Sequence, residues 1–106
     1  MSSFSLTDLE AIIAARASAD GDTSYTRSLM DKGVTKTAEK FGEEAVETII
    51  AAVAQDDAAV TGEAADVLFH LLVLLKLRGI SVADVMEELQ RRTGQSGHAE
   101  KAARPK

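Results

Sequence analysis

The sequence predicts an all-α fold, a bundle of about five helices that is completed by dimerisation. Three observations lead to this prediction. First, helix-forming Ala, Leu, Glu and Val dominate the composition, and the only proline is Pro105. Second, apolar residues recur at intervals of three and four, the period of an amphipathic helix. Third, the segment after Val67 is apolar on nearly all sides, which is more than a chain of 106 residues is expected to bury alone.

Five helical segments are predicted from this period and from the residues that begin and end them. They cover approximately residues 7–19, 24–32, 35–55, 58–77 and 81–93. Gly33 and Gly79 stand just after the second and the fourth segment, where glycine commonly ends a helix. Two segments also begin with the spacing of a capping box, Thr7 with Glu10 and Ser81 with Asp84.

The third segment carries two stripes at helical spacing. The apolar stripe consists of Ala38, Phe41, Ala45, Ile49 and Ala52, widened by Val46, Ile50 and Val53. The polar stripe consists of Lys36, Lys40, Glu44 and Glu47. A stripe of each kind is typical of a helix that packs through one side only.

Composition and charge exclude several classes of protein. The net charge of −5 argues against general binding to nucleic acid, and the absence of cysteine excludes disulfides and thiolate metal sites. No secretory signal is visible, and the longest apolar run, 67–75, is short for a membrane span. We therefore expect one cytoplasmic all-α domain over residues 1–93, followed by a basic and flexible tail over residues 94–106.

Two pairs of carboxylates lie in the third and fourth segments. Glu44 and Glu47 are three residues apart, and so are Glu63 and Asp66. Residues three apart share a face of a helix, so two adjacent helices can aim four carboxylates at one point. Oxygen ligands suit a hard cation, above all Mg²⁺, which usually handles phosphate chemistry. The alternative is that both pairs are ordinary solvated faces.

Other charged residues stand close to these pairs in the sequence. Lys40, Lys36 and Arg27, with Lys32, are placed to contact phosphates if the second and third segments fold onto the site. Glu43 is rotated by about 100° from Glu44, so it is expected to be an outer carboxylate or a general base. His70 continues the acidic stripe into an apolar run, where a core or interface role is favoured over a catalytic one.

These residues resemble a known signature. The pattern Glu43-Glu44-x-x-Glu47, fifteen residues, Glu63-x-x-Asp66 is similar to that of the all-α nucleoside-triphosphate pyrophosphatase superfamily, the MazG-like group. The runs 24–26, 39–47, 63–75 and 96–102 resemble, more narrowly, the phosphoribosyl-ATP pyrophosphohydrolase family of histidine biosynthesis. The likeness covers nearly the whole chain.

The resemblance implies a function and roles for particular residues. The family hydrolyses the α–β bond of phosphoribosyl-ATP with Mg²⁺, giving phosphoribosyl-AMP and pyrophosphate, and its members are homodimers. Its metal ligands match Glu44, Glu47, Glu63 and Asp66, and the catalytic candidates are Glu43 and Glu47. On the resemblance alone, Ser24, Tyr25 and Thr26 line the substrate side, although a helix cap and core residues explain this triplet equally well.

Two other functions stay open at this point. The first is a house-cleaning nucleoside-triphosphate pyrophosphatase of the same superfamily, which would have the same metal site and another substrate. The second is a helical interaction module without catalytic activity. The sequence leaves undetermined the number of metal ions, the identity of the base and the residues that bind the adenine.

Overall fold

The computed structural model describes residues 3–18 and 24–94, and in this part of the chain every regular element is a helix. The elements are α1 (Leu6–Ala17), α2 (Tyr25–Ala54), α3 (Asp57–Leu77) and α4 (Val82–Thr93). α2 and α3 make the main contact of the bundle, α1 packs on both, and α4 packs on α1. The all-α prediction is confirmed, and the predicted tail lies almost entirely outside the described residues.

α2 combines the second and third predicted segments across a kink, so the described residues form four helices, one of which is interrupted at the predicted junction of the two segments. The backbone is not helical at Gly33, where φ is 89° and ψ is 179°. This conformation is accessible essentially to glycine alone. The glycine therefore interrupts the helix as expected, but the chain re-enters a helix at once. Across the break, Thr37 Oγ1 donates a hydrogen bond of 3.3 Å to the carbonyl of Leu29 and so satisfies an end of the first half.

The helix ends agree with the predictions in two places and differ in one. Ser81 and Asp84 form the predicted capping box, and Gly79 follows α3 with a φ of 71°. The predicted cap at Thr7 is wrong, because the N-cap lies two residues earlier, at Ser5, which forms a capping box with Asp8. Glu10 is thereby available for another partner: its carboxylate accepts a hydrogen bond of 2.8 Å from the backbone N–H of Val82.

A small apolar core joins all four helices. It contains one buried residue of α1, one of α2, two of α3 and one of α4, namely Ile13, Leu29, Leu72, Val73 and Val82. Leu29 belongs to the part of α2 before Gly33, so the core holds the first half of α2. Leu29 is remote in sequence from Glu44 and Glu47. The acidic pair of α2 therefore lies at a different part of the contact between α2 and α3.

The second half of α2 does not bury its apolar stripe in the chain. Its buried positions are Thr37 and Ala51, at either end of a side that includes the partly buried Glu44. In contrast, Val46, Ile49, Ile50 and Val53 are between 50% and 84% exposed. Of the apolar stripe, Phe41 and Ala45 are partly buried and the remaining members are exposed. The most covered side of this half instead includes Thr37, Glu44 and Ala51, so most of the apolar stripe stays on the surface.

α3 is covered in part. Among the described residues, it is the one helix that is long and apolar enough to cross a membrane by length and composition, with 17% of that window buried. A core helix of a soluble protein meets the same criterion, and α3 carries Glu63 and Asp66, whose burial in lipid is expensive. Most large apolar residues of α3 are thus partly rather than fully buried, and Leu68 is 40% exposed.

Gly33 has a backbone conformation that favours glycine, whereas Gly62 lies inside a regular helix, so alanine should have opposite effects on stability at the two positions. Gly33→Ala should destabilise the protein by about 1–3 kcal/mol, because alanine is strained at this positive φ. Gly62→Ala should stabilise it by about 0.5–1 kcal/mol, because Gly62 lies within α3 and a Cβ would meet no atom within 4 Å. Chemical denaturation of both variants measures the two changes. A neutral Gly33→Ala variant would contradict the requirement for glycine at the break.

Candidate active site

Three carboxylates from two helices meet where α2 crosses α3. Glu44 on α2 and Glu63 and Asp66 on α3 each offer one oxygen, and these oxygens lie within 4.8 Å of one another. The spacing of three places Glu63 and Asp66 on one face of α3, and the helix contact brings Glu44 opposite them. The packing of α2 on α3 thus brings together three of the four predicted metal ligands.

The fourth predicted ligand, Glu47, lies beside the same group. Its carboxylate is close enough to those of Glu44 and Glu63 to raise the pKa of both groups. Glu47 stands one turn after Glu44 on α2, and its residue is more exposed than Glu44 and Glu63. The four residues form a single acidic cluster, which we call the carboxylate cluster.

The carboxylate cluster is electrostatically unfavourable without a cation. Desolvation raises the pKa of the Glu44 and Glu63 carboxyls above the ordinary value of 4.5, and the carboxylates of Glu47 and Asp66 raise the pKa of both groups further. In addition, Glu63 Oε2 is buried and has no hydrogen-bond partner. An unpartnered buried carboxylate oxygen is costly unless a cation or a donor compensates it. The donors are all oxygens, so they fit a hard divalent cation.

Glu43 lies outside the carboxylate cluster. It pairs with Lys40 at 3.7 Å and contributes to a groove of about 430 Å³ on α2. The other residues of this groove are mostly basic or apolar, namely Leu29, Lys32, Lys36, Glu39 and Lys40. Lys36 also pairs with Glu39 at 3.5 Å. The predicted phosphate-binding lysines therefore share one groove, which we call the lysine groove. Glu43 also lines this groove and directly precedes Glu44 of the carboxylate cluster in the sequence.

The remaining basic candidate, Arg27, is engaged elsewhere. Its Nε donates a hydrogen bond of 2.9 Å to Asp31, and a terminal nitrogen donates one of 3.3 Å to the carbonyl of Ala17 at the end of α1. These contacts hold the start of α2 against α1. Arg27 does not line the lysine groove.

The triplet at the start of α2 divides into structural and exposed residues. Ser24 is the N-cap, accepting a hydrogen bond from the backbone N–H of Arg27 and donating one to the carbonyl of Arg16. Thr26 is buried and its hydroxyl has no partner. These two positions agree with the alternative of a cap and a core residue. Tyr25 differs, because it is exposed at the surface and bonded to a histidine.

That histidine, His70, is the residue that sequence reasoning assigned to the core and that the structure joins to the site. It is buried, but both ring nitrogens are used. Its Nδ1 lies 2.7 Å from the carbonyl oxygen of Asp66, and its Nε2 lies 3.1 Å from Tyr25 Oη. The spacing of four from Asp66 was the available signal, since it places His70 on the acidic side of α3.

Comparison with known proteins identifies the family. The sequence profile described as phosphoribosyl-ATP pyrophosphohydrolase matches residues 6–93. The chain belongs to the phosphoribosyl-ATP pyrophosphohydrolase family. The resemblance stated from the motifs is therefore confirmed, and the matched region contains all four members of the carboxylate cluster.

Several curated relatives support the same family. A protein of Azorhizobium caulinodans is 62% identical over 93% of this chain and 91% of its own length. One of Agrobacterium fabrum is 58% identical over 99% and 98%, and one of Rhizorhabdus wittichii is 62% identical over 95% of both chains. All three are named phosphoribosyl-ATP pyrophosphatase. A phosphoribosyl-ATP pyrophosphohydrolase acts on a polyphosphate. A divalent cation held by a carboxylate cluster would have a chemical role there, because such a cation neutralises phosphate oxygens.

The electrostatics of the carboxylate cluster predict how Glu63→Gln changes stability. Without divalent cations the variant should be more stable than the parent, because one repelling charge is removed. The folded-state pKa of Glu63 is raised, so its penalty is absent below pH 4.5 and develops as the pH rises through the raised value. The gain in melting temperature should therefore grow from acidic to neutral pH.

Addition of Mg²⁺ should reverse the order of the two proteins. A cation that binds only the folded state raises the melting temperature of the parent, and Glu63→Gln should lose most of that rise. Glu87→Gln on α4 is the matched control, since it removes an exposed carboxylate away from the cluster. Equal Mg²⁺-dependent rises in parent and Glu63→Gln would contradict the assignment of Glu63 as a ligand.

Proposed function

We propose that this chain hydrolyses the α–β phosphoanhydride of phosphoribosyl-ATP, releasing phosphoribosyl-AMP and pyrophosphate, in the second step of cytoplasmic histidine biosynthesis. The observation that carries the proposal is the convergence of Glu44, Glu63 and Asp66 within 4.8 Å in a chain of this family. The names of the curated relatives support the substrate.

Mg²⁺ is the proposed cofactor, held by Glu44, Glu63 and Asp66 with Glu47 beside them. The buried, unpartnered Glu63 Oε2 and the all-oxygen donor set support this choice. When bound, such an ion neutralises phosphate oxygens and acidifies water. These carboxylates give the site its affinity for a hard cation. The exposed side of the site is open to the substrate.

The residues of the chain supply the remaining chemistry. A water oxygen forms a bond to one phosphorus of the α–β link, the bond from that phosphorus to the bridging oxygen breaks, and a carboxylate takes a proton from the water. Glu47 is the better placed base, because it lies in the carboxylate cluster, whereas Glu43 is paired with Lys40. Lys36 and Lys40 in the lysine groove bind phosphate oxygens.

The functional unit is proposed to be a homodimer. The exposed residues Val46, Ile49, Ile50 and Val53 follow one another at steps of three, one and three, so they form one stripe on α2. On α3, Leu68 is also 40% exposed, and most other large apolar residues are only partly buried. A second copy of the chain that packs on these surfaces would remove them from water, as obligate dimer interfaces do.

The activity is tested by measuring pyrophosphate release from phosphoribosyl-ATP with and without Mg²⁺. Release is expected only with the metal, and Glu47→Gln and Asp66→Asn should each lower kcat by at least about 100-fold while helicity stays normal. Glu87→Gln, an exposed carboxylate on α4, should retain the parental rate. Parental activity in either cluster variant would refute the proposed site.

ATP and dUTP serve as control substrates in the same assay. Release from these nucleotides and not from phosphoribosyl-ATP would keep the carboxylate cluster and replace the substrate. The absence of release from all three, together with the absence of a Mg²⁺-dependent rise in melting temperature, would favour a helical interaction module.

The dimer is tested with a charge placed in the middle of the apolar stripe. Ile49→Asp should convert a two-chain particle into a single chain, because a buried unpaired charge opposes association. Gln90→Asp is the control, since it adds the same charge at an exposed position on α4, outside the stripe. Sedimentation equilibrium measures both masses. A parent that sediments as one chain at all concentrations would contradict the homodimer.

A further inference from the structure

His70 is the buried polar residue next to the carboxylate cluster that the mechanism above does not use. Its Nδ1 is 2.7 Å from the backbone oxygen of Asp66, one turn earlier on α3. A carbonyl oxygen carries no proton, so Nδ1 must be the donor in this hydrogen bond. The contact fixes the proton on Nδ1 and also fixes the orientation of the imidazole ring.

In a neutral ring whose proton lies on Nδ1, Nε2 presents a lone pair. Tyr25 Oη lies 3.1 Å from this nitrogen and therefore donates its proton to it. The Tyr25 oxygen is left with lone pairs alone. It can accept a hydrogen bond from a donor such as a sugar hydroxyl, and it has no proton to offer to a phosphate oxygen.

Tyr25 is held firmly although it is exposed. Its ring stacks on Phe69 with a centroid distance of 6.1 Å, and Phe69 in turn contacts the edge of the His70 ring at 5.3 Å. Tyr25 is nevertheless 55% exposed. A phenol that is stacked on one side, bonded at its hydroxyl and open to solvent is arranged to contact a ligand rather than to fill the core.

We propose that His70 is a positioning residue: it fixes the Tyr25 hydroxyl beside the carboxylate cluster as a hydrogen-bond acceptor for a hydroxyl of the ribose-containing substrate. This inference rests on the proposed function, because Tyr25 matters only if a nucleotide binds at the cluster. His70 itself is buried and does not touch the substrate. Its effect on catalysis passes through Tyr25.

Three single variants separate the two hydrogen bonds of His70. Tyr25→Phe removes only the hydroxyl and keeps the stacking. His70→Asn places an amide near the position of Nδ1 and loses the partner of Tyr25, whereas His70→Gln places an amide near Nε2 and keeps a partner for it. A double variant, Tyr25→Phe with His70→Asn, tests whether both residues act through one contact.

The expected kinetic result is a rise in KM with little change in kcat. Tyr25→Phe and His70→Asn should each raise KM for phosphoribosyl-ATP about three- to tenfold, the loss of one hydrogen bond in binding. The double variant should show no further rise, and His70→Gln should restore KM towards the parental value. A merely structural role of His70 would lower the melting temperature without this pattern.

The ultraviolet emission of the protein gives a second, independent readout. Tyr25 is the only tyrosine and there is no tryptophan, so the emission reports on Tyr25 alone. His70→Asn should change the emission of the ligand-free protein, because the hydroxyl loses its acceptor, and His70→Gln should change it less. Unchanged emission in His70→Asn would refute the Tyr25–His70 bond, whatever the activity.

The kinetic outcomes distinguish this inference from the proposed function. An active parent with an unchanged KM in Tyr25→Phe or His70→Asn, or additive effects in the double variant, would overturn the positioning role and leave the function intact. A parent that fails to release pyrophosphate from phosphoribosyl-ATP would overturn both.

Discussion

The contact between α2 and α3 is the constraint on which the rest of the structure depends, because it forces like charges together. Glu44 on one helix and Glu63 and Asp66 on the other occupy one small volume, partly removed from water. Repulsion between carboxylates opposes this contact, and the apolar core formed around Leu29, Leu72 and Val73 lies elsewhere in the bundle. The apolar core therefore stabilises the helix pair in one region, while the carboxylates destabilise it in another. This separation is expected where a functional site forms at a cost in stability.

The same contact explains the unusual use of the faces of α2. A helix that packs through the side with Thr37 and Glu44 leaves its opposite, apolar side for another partner, and Val46, Ile49 and Val53 are indeed on the surface. A single chain that instead turned this stripe inward would bury more apolar area but would separate Glu44 from the carboxylates of α3. The apolar surface and the carboxylate cluster are therefore two consequences of one rotation of α2 about its axis.

The helical period, the glycines and the acidic spacing made most of the fold and the cluster predictable. The period of three and four holds wherever a helix forms, and i,i+3 carboxylates share a face in any helix, so Glu63 and Asp66 required no tertiary information. The packing side of α2 was not predictable in this way, because an apolar stripe indicates burial without saying whether the same chain or another one covers it. The Thr7 cap failed for a local reason, since Ser5 with Asp8 offers an equivalent box two residues earlier.

His70 illustrates why residue type and burial alone assign roles poorly. An apolar run around a histidine indicates a core residue, and the ring is indeed buried. Its role depends instead on two partners, the carbonyl of Asp66 and the hydroxyl of Tyr25, of which the second lies 45 residues away in sequence. Only the crossing of α2 on α3 brings that hydroxyl within reach. The crossing that gathers the carboxylates therefore also gives the Tyr25 hydroxyl its histidine partner, so a shift of either helix would disturb the carboxylate cluster and the proposed substrate contact together.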